Sequence, residues 1–299
     1  MIKIDLITGF LGSGKTTFIL KYAKYLMDKG EKVCIVENDY GAINIDMMLV
    51  SSLGCGTEMV AGGCDYDCHL RRFKTKLISM AMMGYTRVIV EPSGVYDTDE
   101  FFDTLYEEPL INYYEIGNIF FLYDINTKNL SEESEYILVS EASAASKLIV
   151  TKRDNLDLTL NLDYINSLMK KYMCDRVFTN RDIIYNDELN LDSIINSGYA
   201  SYDHIKMPVI NDNNYDSVYL MDKKLTKDFV LKLKDKLFTT DIYGDIIRIK
   251  GFVYEDSKWY KINITKYNTE IEEIDNGQDV IIVIGEHLLK NKINSLIGE

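Results

Sequence analysis

The chain has 299 residues, 46% of them hydrophobic, enough for one large or two ordinary domains each with its own core. Its 47 acidic residues outweigh 33 basic ones, for a formal net charge of -14, which excludes a general nucleic-acid or anionic-membrane surface because both need Lys and Arg to neutralise phosphate. The five cysteines (Cys34, Cys55, Cys64, Cys68, Cys174) are odd in number and unevenly spaced, so no disulfide framework is expected; no signal peptide and no apolar run of membrane-spanning length is apparent, and the expected location is cytoplasmic.

In chain order, Ile2, Ile4, Leu6 and Ile7 make an apolar run of strand length, and Thr16 to Lys29 reads as a helix closed by Gly30. Between them lies Gly9-Phe10-Leu11-Gly12-Ser13-Gly14-Lys15-Thr16-Thr17, the pattern G-x-x-x-x-G-K-[ST] in the strand, loop, helix context that makes it a phosphate site. Its glycines let backbone N–H groups of Gly12, Ser13, Gly14 and their neighbours curl round a phosphate, and the helix N-terminus adds its dipole. Lys15 is expected on the β- and γ-phosphates, and Thr16 on Mg2+.

Strand-like and helix-like runs then alternate. Val33 to Glu37 is a strand, Asn38 to Asp67 an irregular stretch, His69 to Met83 an amphipathic helix, and Arg87 to Val90 a strand. A helix follows around Asp99 to Tyr106, then a strand at Ile119 to Tyr123, a helix over Ser131 to Ser146, a strand at Leu148 to Val150 and a helix over Leu160 to Met173. Such alternation implies an α/β fold with a mostly parallel sheet and helices on both faces.

The character changes near Pro208. Asn211, Asp212, Asn213 and Asn214 suit a linker, placed at residues 208–215, between a nucleotide domain of residues 1–207 and a smaller α+β domain of residues 216–299. The second domain should hold a strand at Ser217 to Met221, a helix from Thr226 to Leu237, several strands between Ile246 and Ile284, and a last helix from Glu286 to Ile297.

Three further motifs carry chemistry. Glu91-Pro92-Ser93-Gly94 sits at the carboxyl end of a buried strand, where a parallel sheet presents its ligands; Glu91 is expected to reach Mg2+ through water and the Gly94 N–H to face the γ-phosphate. Thr151-Lys152-Arg153-Asp154 also follows a strand: Asp154 can accept guanine N1–H and its 2-amino group, and the Lys152 stem can cover the base. Asn38-Asp39-Tyr40-Gly41 opens the irregular stretch with a carboxylate, Asp39, that suits Mg2+ in a segment ordered by γ-phosphate. At that stretch's end, Cys64, Asp67, Cys68 and His69 offer mixed S, O and N ligands to Zn2+, Co2+ or Ni2+, with Cys55 able to join; Cys34 and Cys174 read as structural.

In this order, with a late Arg248-Ile249-Lys250-Gly251, the motifs resemble the CobW-type P-loop GTPases, relatives of the urease and hydrogenase maturation GTPases, over nearly the whole chain. The resemblance implies a CobW-like C-terminal domain and a metallochaperone. Such a protein binds GTP, hydrolyses its β-γ phosphoanhydride slowly until a partner acts, and delivers a transition metal to a client metalloprotein or a cofactor (cobalamin-type) pathway. Two departures stand out. The family's Cys-x-Cys-Cys is altered, with Asp67 and His69 as substitute ligands, and Thr151 replaces the usual Asn, which should remove one base-edge hydrogen bond. Two rival readings are another P-loop NTPase, ATPase or kinase, and a nucleotide-switched adaptor with no metal of its own. Oligomeric state stays open, a homodimer included.

Overall fold

A computed structural model describes residues 1–10, 12–39, 54–61, 66–92, 98–127, 130–153, 159–205, 215–266, 268–275 and 277–296, with backbone alone for residues 39, 61, 66, 67, 215 and 216. Two compact units emerge, Met1–Pro208 and Val209–Glu299. The expected linker at 208–215 falls almost wholly outside the described residues.

The first unit is built on seven parallel strands: β1 (Ile2–Gly9), β2 (Val33–Asp39), β3 (Gly56–Ala61), β4 (Arg87–Pro92), β5 (Tyr114–Asp124), β6 (Lys147–Thr151) and β7 (Ile183–Tyr185). Their order is β3-β2-β4-β1-β5-β6-β7. Its described helices include α1 (Lys15–Asp28), α2 (Tyr66–Ala81), α3 (Thr98–Tyr106), α4 (Glu132–Ala144) and α5 (Leu162–Lys171). Neighbouring residues in β1 and β4 point to opposite faces, yet Leu6, Ile7, Val88, Ile89 and Val90 are all fully buried, so both faces are covered. Hence these strands read as continuous apolar runs. Helix α1 buries Phe18, Ile19, Tyr22, Ala23 and Leu26, spaced at helical periodicity, against Ile7, Ile35, Ile89, Phe120 and Leu122.

Two strands lie where the sequence suggests none. β3 occupies part of the stretch expected to be irregular, pairing Cys34 with Gly56 through to Asp39 with Ala61. β7 is only three residues and partly buried at the sheet edge, too short for a periodicity signal.

One polar cluster interrupts this core. Asp5 on β1 is fully buried and accepts from Arg87 Nε (2.6 Å) and Nη2 (2.9 Å) at the start of β4, from the Tyr22 hydroxyl of α1 (2.9 Å) and from the Asn118 N–H of β5 (2.6 Å). Burial pushes the Asp5 carboxyl up while Arg87 opposes it; burial likewise works against the Arg87 charge, which Asp5 and Tyr22 hold raised. A Cβ on Gly117 would collide with Asp5 Oδ1, so glycine there keeps room for the carboxylate.

In the second unit β8 (Tyr215–Met221), β9 (Asp245–Glu255), β10 (Lys258–Thr265), β11 (Thr269–Ile274) and β12 (Val280–Glu286) form an antiparallel sheet in the order β11-β10-β9-β12-β8. Helices α6 (Lys227–Thr239) and α7 (Lys290–Ser295) pack on it through Val230, Leu233, Leu237 and Ile293. The last helix begins later than expected because Glu286 closes β12, paired with Tyr215 and Asp245. No helix among the described residues is long and apolar enough to cross a membrane.

Arg87→Met leaves the Asp5 carboxylate buried without its counter-charge, and should lower unfolding free energy by about 3–5 kcal/mol in urea denaturation followed by circular dichroism. An unshifted midpoint would show that the cluster does not hold the sheet.

Candidate functional site

All seven strands of the first unit run parallel, so their carboxyl ends share one edge of the sheet. Gly9, Asp39, Pro92, Asp124 and Thr151 close β1, β2, β4, β5 and β6 there. An open parallel sheet binds ligands at this edge, near where strand order reverses; here β1 lies between β4 and β5, and the chain after it runs to β2.

The loop after β1 has the geometry of a phosphate cradle. Gly9 has φ 148, and a Cβ there would lie 2.5 Å from Ser13 Oγ and 2.6 Å from the Leu122 carbonyl, so only glycine lets the loop turn this close to β5. Gly12 and Gly14 are left-handed (φ 78 and 93), and Gly14 is the N-cap of α1 without a side-chain cap. The α1 N-terminus therefore presents backbone N–H groups and positive dipole to the loop. Ser13 is buried, Thr17 is exposed on the first turn, and Lys15 Nζ donates to the Gly9 carbonyl at 2.6 Å.

Thr16 and Glu91 come together, the hydroxyl donating to Glu91 Oε1 at 2.9 Å. A further acid, not singled out by the sequence reading, lies on the neighbouring strand. Glu37 on β2 is in register with Glu91 on β4, which puts two buried side chains on one face with Cα atoms about 4.8 Å apart. Like charges so placed favour a cation between them or a shared proton. One hydroxyl and two carboxylates make an oxygen-only donor set, the kind Mg2+ takes. The available signal was a carboxylate inside the apolar run Val33–Glu37, since a strand buried on both faces has little use for one except at its carboxyl end. Asp39 is the last residue of β2; its side chain, like all of Gly94, lies outside the described residues.

The T-K-R-D segment attaches to the phosphate loop directly. Thr151 is buried, and its hydroxyl donates to the Ser13 carbonyl at 2.7 Å, with the Tyr123 carbonyl farther at 3.3 Å. The Thr151 side chain thus points inward and braces β6 against the loop after β1. Lys152 is left-handed (φ 56), with Nζ 3.3 Å from Asp124 Oδ2. Asp154 lies outside the described residues.

Of the candidate transition-metal ligands, Cys64 and the Asp67 side chain lie outside the described residues. Cys68 is half-buried on the first turn of α2. His69 is fully buried, and its Nε2 sits 2.6 Å from Asn38 Oδ1, so the imidazole ties α2 to the end of β2. Among the described residues no group of three or more His, Cys, Asp or Glu is arranged to hold a metal. Burial raises the thiols of Cys34, to about 12, Cys55 and Cys174, keeping them protonated near neutral pH; for Cys34 and Cys174 this fits a structural role.

Residues 3–179 match the family model described as CobW/HypB/UreG, nucleotide-binding domain. The zinc chaperone YjiA of Escherichia coli (strain K12) is 23% identical over 162 residues, 51% of this chain and 50% of that protein. The zinc chaperone YeiR of the same strain is 33% identical over 106 residues, 35% of this chain and 32% of that one. By sequence, the chain therefore spans half the length of these relatives or less. A crystal structure of the Zn(II)-bound YjiA GTPase from E. coli aligns over 99% of this chain and 98% of that one at 15% identity, with a TM-score of 0.37, too loose a superposition to carry an argument about the site. The chain belongs to the CobW/HypB/UreG family, and its residues 3–179 are the family's nucleotide-binding domain.

Proposed function

We propose that this protein binds and hydrolyses GTP and couples its nucleotide state to holding a transition metal destined for a client protein. The carrying observation is the joined carboxyl edge: Thr16 on the first turn of α1 bonds Glu91 at 2.9 Å and Ser13 of the loop after β1 bonds Thr151 at 2.7 Å, which supports reading the triphosphate and base functions as one site. The relatives named as zinc chaperones support the metal half of the reading.

In this mechanism Lys15 exchanges the Gly9 carbonyl for the β- and γ-phosphate oxygens. Thr16, Glu91, Glu37 and Asp39 would hold Mg2+, which when bound neutralises charge on the β- and γ-phosphates. Gly94 is the proposed γ-phosphate contact, and Lys152 and Asp154 take the base. No side chain described at this edge is placed as a general base, so the chain's contribution is positioning and electrostatics, and turnover should be slow without a partner. Cys64 and Cys68, with Asp67 and His69, are the proposed metal ligands, and the bond from His69 Nε2 to Asn38 links their segment to the strand that ends in Asp39. The metal is cargo, and the client pathway, cobalamin-type or other, is chosen by partner contacts.

Lys15→Ala should abolish phosphate release from GTP; unchanged release would end the proposed mechanism. Thr151→Val removes the brace to Ser13 while keeping the side chain's shape, and should weaken GTP about fivefold in a calorimetric titration, one neutral hydrogen bond being about 1 kcal/mol. The double change Cys64→Ser, Cys68→Ser should eliminate tight Zn2+ binding in competition with a chelator, whereas retained affinity would place the metal elsewhere.

A further inference from the structure

Strand β5 runs past the level at which β1 turns into the phosphate loop. Gly9, the last residue of β1, pairs with Leu122, so Tyr123 and Asp124 extend beyond it, and Asp124 pairs with Thr151 at the end of β6. The two oxygens of the Asp124 carboxylate have different tasks. Oδ1 accepts from the Asn126 N–H at 2.9 Å and from Asn126 Nδ2 at 3.2 Å, closing the turn that follows β5. Oδ2 lies 3.3 Å from Nζ of Lys152, the residue after β6.

The fold needs only the first of these. A side-chain oxygen that accepts from the N–H two residues on makes an Asx turn, and the amide oxygen of asparagine serves as well as a carboxylate. The charge and the second oxygen are therefore surplus to the turn. A carboxylate beside a triphosphate site also opposes an anionic ligand unless a cation accompanies it. Lys152 is that cation, and its own bonding is incomplete. Its Nζ is buried and makes no hydrogen bond, and the contact with Asp124 is its only ion pair among the described residues. An ammonium carries three donors, so a further acceptor is called for. The left-handed backbone of Lys152 (φ 56), rare for a residue with a side chain, likewise persists only where its surroundings hold it.

Strand order indicates which end of a nucleotide supplies that acceptor. Across the site the sheet runs β4-β1-β5-β6. On the reading above, Thr16 and Glu91 mark the Mg2+ and γ-phosphate end, on the β4 side of the loop. Asp124 and Lys152 lie on the other side, toward which a nucleotide held by that loop extends its nucleoside.

We propose that Asp124 is a positioning residue for nucleoside binding: its second carboxylate oxygen holds the Lys152 ammonium at the β5 and β6 end of the site, so that the remaining donors meet oxygen acceptors of the nucleoside. This rests on the assignment of Lys152 to the nucleoside under the proposed function.

The test uses the full chain with Mg2+, and dissociation constants for GTP and for inorganic triphosphate, which has no nucleoside, measured by competition against labelled GDP. Losing a negative charge helps any phosphate ligand to bind, so the quantity read is the ratio of the triphosphate constant to the GTP constant. Asp124→Asn keeps the oxygen that closes the turn and removes the charge; the ratio should fall on the order of tenfold. Lys152→Met keeps the stem and removes the ammonium, and should lower the ratio by a similar factor. The double variant should match Lys152→Met to within about twofold, because Asp124 acts through that ammonium. An unchanged ratio in Asp124→Asn beside a lowered one in Lys152→Met overturns the proposal and leaves the Lys152 assignment standing. So does a double variant whose loss is the product of the two single losses, which would show Asp124 acting without Lys152. An unchanged ratio in Lys152→Met removes the nucleoside assignment of Lys152 itself, and the role of Asp124 falls with it.

Discussion

The buried pair of Asp5 and Arg87 is the constraint on which the placement of the nucleotide edge depends. Asp5 belongs to the strand that feeds the phosphate loop, Arg87 to the strand that ends in Glu91, Tyr22 to the helix that starts at Lys15, and Asn118 to β5. One carboxylate thus ties together the elements that carry Gly9, Lys15, Thr16 and Glu91. Such a pair adds little net stability over well-packed apolar residues, because desolvation consumes the Coulombic gain. Its value lies in direction: apolar packing alone tolerates sliding of a helix over a sheet, whereas hydrogen bonds to two carboxylate oxygens admit one register.

From that fixed base the site is assembled by short reaches. Thr16 needs 2.9 Å to reach Glu91, and Thr151 needs 2.7 Å to reach Ser13. Thr151 thereby supports the phosphate loop from β6. Asn38 and His69 repeat the pattern on the other flank, joining the end of β2 to the first turn of α2 through 2.6 Å.

Much of this was legible beforehand. The loop after β1, the strand-end Glu91 and the T-K-R-D segment each carry their pattern in residues a few positions apart, so spacing alone singles them out as candidates. The central strands were legible too, because a strand buried on both faces reads as an apolar run. β3 and β7 were not: β3 follows a long stretch without periodicity and β7 is three residues long. Glu37 passed as part of a strand because its meaning comes from Glu91, 54 positions later, in the neighbouring strand. The bond from His69 to Asn38, 31 positions earlier, was not legible either, since only the depth of the imidazole and its distance to Asn38 reveal it.

Local order along the chain thus determined the family, the presence of a phosphate site and the division into an α/β part and an antiparallel part, because motif spacing and hydrophobic period are properties of neighbouring residues. Tertiary structure decided which residues from distant strands share a face: Glu37 with Glu91, Thr151 with Ser13, Arg153 with Tyr185, Asp5 with Arg87. The reason is geometric, since strand order in a parallel sheet is set by crossovers and global packing, and no local pattern records which strand will lie beside which.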